Sequence, residues 1–147
     1  MSSAELPSTP DPAAVAAAMY SKDRVAQALE IAIQSVSLGR ACLSMRVRPD
    51  MVNGHGLCHG GYMALLCDTA FAYACNSYNA VTVASGFSIE LLAPAREGDL
   101  LTAEGVEVER RGRSGVYDIR LTNQRGETLA LFRGKSRTLE GQIIPQP

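Results

Sequence analysis

The stretch that constrains this chain most is Tyr62–Cys75, fourteen residues with a single charge, Asp68. Strong helix formers dominate it (Met63, Ala64, Leu65, Leu66, Ala70, Ala72, Ala74), and no Gly or Pro interrupts it, which predicts a helix. The run is apolar on every side, so the helix belongs inside a protein. It is too short to span a membrane and carries a carboxylate near its middle. A carboxylate on a buried helix is costly unless it is paired or hydrogen-bonded. Asp68 therefore either bonds Thr69 or nearby backbone and fixes packing, or it lines a cleft and does chemistry. Just upstream, Asn53–Gly61 places four glycines and two histidines in a loop that leads straight into the helix.

The rest of the composition narrows the class. A chain of 147 residues, 46% of them hydrophobic, is long and apolar enough for one domain with a real core. A net charge of −1 with no basic run argues against nucleic acid as a partner. Cys42, Cys58, Cys67 and Cys75 show no CxxC spacing, and the last two read as small buried hydrophobes. Residues 1–12 are polar, with no apolar core that would make a signal peptide. Reduced thiols without such a signal predict a cytoplasmic protein. No cofactor is expected, and a metal site from His55, Cys58 and His59 is a poor reading because a glycine-rich loop gives no fixed ligand geometry. A cysteine hydrolase using Cys58 and His59 is also weak: adjacent residues seldom bring thiol and imidazole together, and no triad partner is apparent.

Taken in order, residues 1–12 read as a flexible N-terminal tail, residues 13–139 as a single domain and residues 140–147 as a C-terminal tail. Asp11-Pro12 is a helix start, with Asp as N-cap, for a helix over Ala13–Tyr20. Ser21 is expected to cap a second helix from Lys22 to about Glu30, so residues 13–31 hold two N-terminal helices. Ala41–Arg48 alternates as a half-buried strand. Ala80–Leu92 alternates next, with Val81, Val83, Phe87, Ile89 and Leu91 on one face. Leu101 and Ala103 begin a third strand, and the opposite phase of Val106 and Val108 predicts a β-bulge at Glu104-Gly105. Tyr117, Ile119 and Leu121 mark a fourth strand and Leu129–Leu139 a fifth. Short connections make these antiparallel, and the one long apolar element to cover them is the central helix. The expected fold is α+β: an antiparallel sheet of about five strands wrapped around a long central helix.

A strand, an N-x-x-G-x-x-H-G-G loop, a buried helix bearing Asp and then four antiparallel strands resemble the hotdog fold. Within it, Asn53-Gly54-His55-Gly56, Cys58-His59-Gly60-Gly61, Cys67–Ala72 and Asn76-Ser77 resemble the PaaI-type acyl-CoA thioesterases associated with phenylacetate degradation. Gly115–Ile119 and Leu131–Ser136 add to the resemblance, which runs from about Arg40 to Leu139. It implies hydrolysis of aryl-acetyl-CoA, phenylacetyl-CoA or hydroxyphenylacetyl-CoA, to free acid and CoA. Two other readings stay open: a hydratase or dehydratase on the same fold, pairing His59 with Asp68, and a non-catalytic acyl-CoA-binding module.

Thioester hydrolysis needs an activated water or a nucleophile, and a place for the charge that develops on the carbonyl oxygen. Gly60 and Gly61 stand where the helix begins, and the first N–H groups of a helix lack internal partners and lie at its positive end. The Gly60 N–H, with Gly61, is the candidate oxyanion donor. Asp68 comes eight residues later, about 12 Å along a helix, too far to serve a carbonyl held at the same N-terminus. Two antiparallel copies of the helix remove the difficulty. This predicts a homodimer with shared active sites, as the resemblance also implies; a homotetramer, a dimer of dimers, is the expected assembly. Asp68 then acts as general base or as nucleophile. Asn53 resembles the family residue that positions the water or carbonyl, with a turn-forming role as its alternative; His59 is expected to orient the loop. Ser85 or Ser88 is expected to bond the attacking water. Arg111 and Arg113 with Arg110 on one hairpin, and Arg133 and Lys135 with Arg137 on the last strand, are the cations for the phosphates of CoA. Tyr62, Met63, Leu66 and Phe87 are expected to line the acyl pocket.

Overall fold

The computed structural model describes residues 9–147. Most of the expected N-terminal tail lies outside the described residues. From Asp11 the start is as the sequence implies: its Oδ1 accepts from the Ala13 N–H at 3.1 Å, and Pro12 opens α1 (Pro12–Tyr20). Helix α2 is shorter than expected, Arg24–Ala28. Asp23 caps it, accepting from the Ala26 N–H at 3.0 Å, while the Ser21 hydroxyl donates back to the Ala18 carbonyl at 2.7 Å and closes α1 instead. Among the described residues no helix is long and apolar enough to cross a membrane.

Six strands follow: β1 (Ala32–Ser37), β2 (Arg40–Arg46), β3 (Ala80–Leu91), β4 (Leu100–Arg111), β5 (Ser114–Thr122) and β6 (Thr128–Gln142). They form one antiparallel sheet in the order β1-β2-β4-β5-β6-β3. The strand beyond the expected five is β1. Its register shifts between Ile33 and Ser35, so its two inward apolar residues, Ile33 and Val36, stand three apart and break the period of two. The bulge expected at Glu104-Gly105 is absent. Leu101, Ala103 and Gly105 keep one phase toward the helix, Val106 and Val108 lie on the outer face, and the irregularity falls between Glu107 and Glu109. In β3 the shift between Ala84 and Gly86 turns Val81 and Val83 to the face opposite Phe87, Ile89 and Leu91, which the sequence places together.

Helix α3 (Gly60–Cys75) lies across one face of this sheet, chiefly on β2, β4 and β5. Met63, Leu66, Cys67, Ala70, Phe71 and Ala74 bury against Leu43, Met45, Leu101, Ala103, Ile119 and Leu121 in a single core. Gly134 on β6 makes room for the Phe71 ring, since a Cβ there would stand 2.8 Å from it. The ring also tilts against Tyr117 and Phe132, at centroid distances of 5.6 and 5.9 Å; truncating a ring so enclosed costs about 3–5 kcal/mol. This is the hotdog fold. Its C-terminal end is better held than a tail: β6 runs to Gln142, the Asn79 amide donates to the Ile144 carbonyl at 2.9 Å, and the Ile144 N–H donates back to Asn79 Oδ1 at 2.8 Å.

Candidate active site

The loop before α3 is held from both sides. The His59 N–H donates to the Met51 carbonyl at 2.8 Å, and the Cys58 N–H donates to the Ala95 carbonyl at 2.8 Å. Asn53 folds the loop between these anchors: its Oδ1 accepts from the N–H groups of His55 (2.9 Å) and Leu57 (3.2 Å). Half of the carboxamide thus has the turn-forming role. The Nδ2 end has no hydrogen bond among the described residues, and Asn53 borders a cavity of about 370 Å3. Gly60, Met63, Leu91, Leu92 and Ala93 line that cavity too.

His59 is the N-cap of α3. Its Nδ1 accepts from the Gly61 N–H at 2.9 Å, which places the proton of the neutral ring on Nε2. Its carbonyl accepts from Tyr62 at 3.0 Å. Two first-turn donors are therefore occupied, including Gly61, which the sequence offered as a second oxyanion donor. Gly60 keeps its N–H without a partner among the described bonds, beside the cavity and at the positive end of a sixteen-residue helix. Glycine at this position leaves the backbone open on the cavity side.

Two turns along, Asp68 is half-buried and has neither a salt bridge nor a hydrogen bond among the described residues. Thr69 does not pair with it; that hydroxyl donates to the Leu65 carbonyl at 2.7 Å. Burial alone pushes the Asp68 carboxyl above the usual carboxylate range. Asp68 shares the outward side of α3 with Gly61, Ala64, Leu65 and Ala72, which the protomer's own sheet leaves partly uncovered. Within one protomer Asp68 and Gly60 stand about 12 Å apart along the helix.

The structure sorts the remaining candidates. Ser85 sits in the β3 irregularity and donates to the Lys135 carbonyl at 3.1 Å. Ser88 faces away from α3 beside Arg133 and does not join Gly60 or Asp68. Arg133 and Lys135 also point to that outer face, and Arg133 is engaged by Asp118 through a bidentate pair of 2.6 and 2.8 Å. Arg110 is held too, its guanidinium 3.5 Å above the Tyr78 ring centroid and its Nε 3.5 Å from Glu107. Arg111 and Arg113 remain exposed on the β4–β5 turn, with no side-chain bond among the described ones. Of the four expected acyl-pocket residues only Met63 lines the cavity. Leu66 is fully buried against the sheet, Phe87 stacks on Phe132 at 4.8 Å, and Tyr62 lies outside the lining. Leu91 and Leu92 take their places, and the sequence could not single them out because their approach to Gly60 is tertiary. The Cys58 thiol, pushed up by burial, faces the His59 carbonyl at 3.6 Å while the imidazole caps the helix, so the two form no catalytic dyad.

A hotdog fold with a glycine-opened helix start, and an unpaired carboxylate on the same helix, fits the family that the sequence matches. The chain belongs to the thioesterase superfamily, whose family model matches residues 55–130. It is 50% identical over 127 residues to the acyl-coenzyme A thioesterase PaaI of Escherichia coli (strain K12), covering 86% of this chain and 90% of that one. The structure of the E. coli PaaI protein from the phenylacetic acid degradation operon superposes with a TM-score of 0.89 at 46% identity, over 91% of this chain and 97% of that one. A thioesterase-like protein of Streptococcus pneumoniae TIGR4, solved with coenzyme A, superposes with a TM-score of 0.72 at 27% identity, over 76% of this chain and 90% of that one.

Proposed function

We propose that the protein is an acyl-CoA thioesterase that hydrolyses aryl-acetyl-CoA, phenylacetyl-CoA or a hydroxylated analogue, to the free acid and CoA. The observation that carries the reading is Asp68: a half-buried carboxylate with no partner among the described residues, on the outward side of the helix whose N-terminus offers the Gly60 N–H. The attacking water, held against Asp68 by a hydrogen bond, offsets the cost of leaving it unpaired. The relatives supply the substrate class: one is named an acyl-coenzyme A thioesterase and another was solved with coenzyme A.

In the proposed dimer two α3 helices run antiparallel, joined along Gly61, Ala64 and Leu65, so that Asp68 of one chain faces Gly60 of the other. The thioester carbonyl oxygen accepts from the Gly60 N–H. Asp68 takes a proton from water as the water oxygen bonds to the carbonyl carbon, and the charge that develops on the carbonyl oxygen is met by that N–H and the helix terminus. Collapse of the tetrahedral species breaks the C–S bond, and CoA leaves as thiolate and takes up the proton. The raised Asp68 carboxyl favours the role of base, since a stronger base at working pH is the better proton acceptor. Asn53 Nδ2 holds the water or carbonyl, and Arg111 and Arg113 on the β4–β5 turn, with the exposed Lys135 on β6, are the cations for the phosphates of CoA. Two such dimers assemble into a tetramer.

Release of free thiol from phenylacetyl-CoA, hydroxyphenylacetyl-CoA and a fatty acyl-CoA panel tests the activity, with Asp68→Asn as the paired variant. Turnover by the wild type and loss of at least a hundredfold in kcat for Asp68→Asn are expected, the range of positioned general bases being about 10²–10⁴. Binding of acyl-CoA without turnover would favour the non-catalytic module, and a near-normal kcat in Asp68→Asn would make Asp68 structural.

A further inference from the structure

The cavity beside Gly60 is lined unequally. One side is loop and helix start, Asn53, Cys58 and Gly60; the other is two leucines at the end of β3, Leu91 at 53% and Leu92 at 59% exposure. Leu91 follows Phe87 and Ile89 on the helix side of β3 and pairs with Ala130. A Cβ built on Gly60 would stand 2.8 Å from Leu91 Cδ1, so no side chain separates this leucine from the backbone that carries the free N–H. A carbonyl oxygen bound there lies about 2.7–3.1 Å from the donor. An acyl group that extends from that carbonyl into the cavity meets Leu91 in apolar contact. A half-exposed leucine in a cavity that Leu57, Met63, Leu92 and Ala93 also line gains by covering itself with an apolar group.

We propose that Leu91 is the residue that sets the length and bulk of the acyl group. The side chain is the wall on which the group ends; this assignment rests on the thioesterase reading above, and extends it from a class of substrate to the residue that selects within the class. Leucine at this position keeps a short aryl-acetyl group in contact and turns away longer chains. Removing its isobutyl end opens the cavity along the same line, and a phenyl ring closes it further.

The test is kcat/KM over phenylacetyl-CoA and straight-chain acyl-CoAs from butyryl to decanoyl, for wild type, Leu91→Ala and Leu91→Phe. Leu131→Ala, a leucine 42% exposed on the outer face of β6, is the control. One methylene in an apolar pocket discriminates by about 10–200-fold. The ratio of octanoyl to phenylacetyl turnover should therefore rise at least tenfold in Leu91→Ala and fall in Leu91→Phe, with Leu131→Ala unchanged. Wild-type ratios in both active Leu91 variants would overturn the assignment. A wild type that turns over nothing on the panel removes the thioesterase reading itself, and the role of Leu91 with it. If a melting curve shows that Leu91→Ala is unfolded, Leu91→Met carries the same comparison, because its unbranched chain yields to longer groups.

Discussion

Gly60→Ala separates two reasons for a glycine at the start of α3. The added Cβ would stand 2.8 Å from Leu91 Cδ1, the far end of a side chain that is 53% exposed and free to rotate away. Alanine is favoured over glycine by about 1 kcal/mol in a helix interior, and the part of that gain felt at the first residue of α3 works against the contact. The melting temperature should thus stay within about 2–4 °C of wild type, the span of 1 kcal/mol for a protein of this size. Activity should not survive so well. The methyl stands on the cavity side of the free N–H, and losing one oxyanion donor costs about 10²–10³ in kcat; a drop of that order in thiol release is expected. Gly60→Ala/Leu91→Ala relieves the leucine contact but leaves the methyl in the path of the carbonyl, so it should remain as impaired as Gly60→Ala. The comparison uses an acyl-CoA that Leu91→Ala alone hydrolyses well. If the double variant recovers the activity of Leu91→Ala, glycine serves only the packing of Leu91, and Gly60 is not the oxyanion donor.

His59→Ala removes the cap on Gly61 and should lower stability by about 0.5–2 kcal/mol in a thermal melt, with a fall in kcat as the helix start loosens; His59→Asn, also a good N-cap, should restore most of the stability. Arg111→Ala and Arg113→Ala should raise KM for CoA thioesters more than they lower kcat, whereas Arg133→Ala, whose parent is paired with Asp118 on the outer face, should change KM little in the same steady-state assay. Because burial raises the Asp68 carboxyl and the base must be ionised, kcat/KM should fall as pH drops through that raised value, with an acid limb above the ordinary carboxylate range in the pH–rate profile. The same shift has the opposite sign for stability: the fold prefers the protonated form, so the stabilising contribution present at low pH is lost as pH rises through the folded-state value, and Asp68→Asn should melt above wild type at neutral pH.

Much of this molecule was legible before the structure because its signals are local. Asp11-Pro12 starts α1 through a side-chain bond and a fixed φ, neither of which needs a partner. Helix α3 announces itself by composition, and β5 by the alternation of Tyr117, Ile119 and Leu121. The failures fall where one residue too many enters a strand. In β1 the shift at Ile33/Ser35 hides the alternation, and in β3 the shift at Ala84/Gly86 exchanges the faces of its two halves. Side-chain engagement was the other illegible quantity. His59 as helix cap, Arg110 on Tyr78 and Arg133 on Asp118 each depend on a geometry that spacing does not encode. Leu91 illustrates the limit: its face was readable, its approach to Gly60 was not.

The central helix is apolar on more sides than one protomer uses. Its sheet takes Met63, Leu66, Cys67, Ala70, Phe71 and Ala74. Gly61, Ala64, Leu65 and Ala72 repeat on the opposite side at the spacing of one helix face, and none of the described residues fully covers them. Small residues on that side suit the close approach of a second helix, and within the stripe only Asp68 would meet such a partner as a charge. Burying the stripe in the proposed dimer would withdraw Asp68 further from water, and so push its carboxyl further in the direction that burial already sets. Assembly and base strength are then linked. A variant that weakens the helix contact, such as Ala64→Glu, should lose activity with dilution, and the acid limb of its remaining activity should move toward the ordinary carboxylate range. An Ala64→Glu protein that sediments as an active monomer with the wild-type acid limb would refute both the shared site and the link.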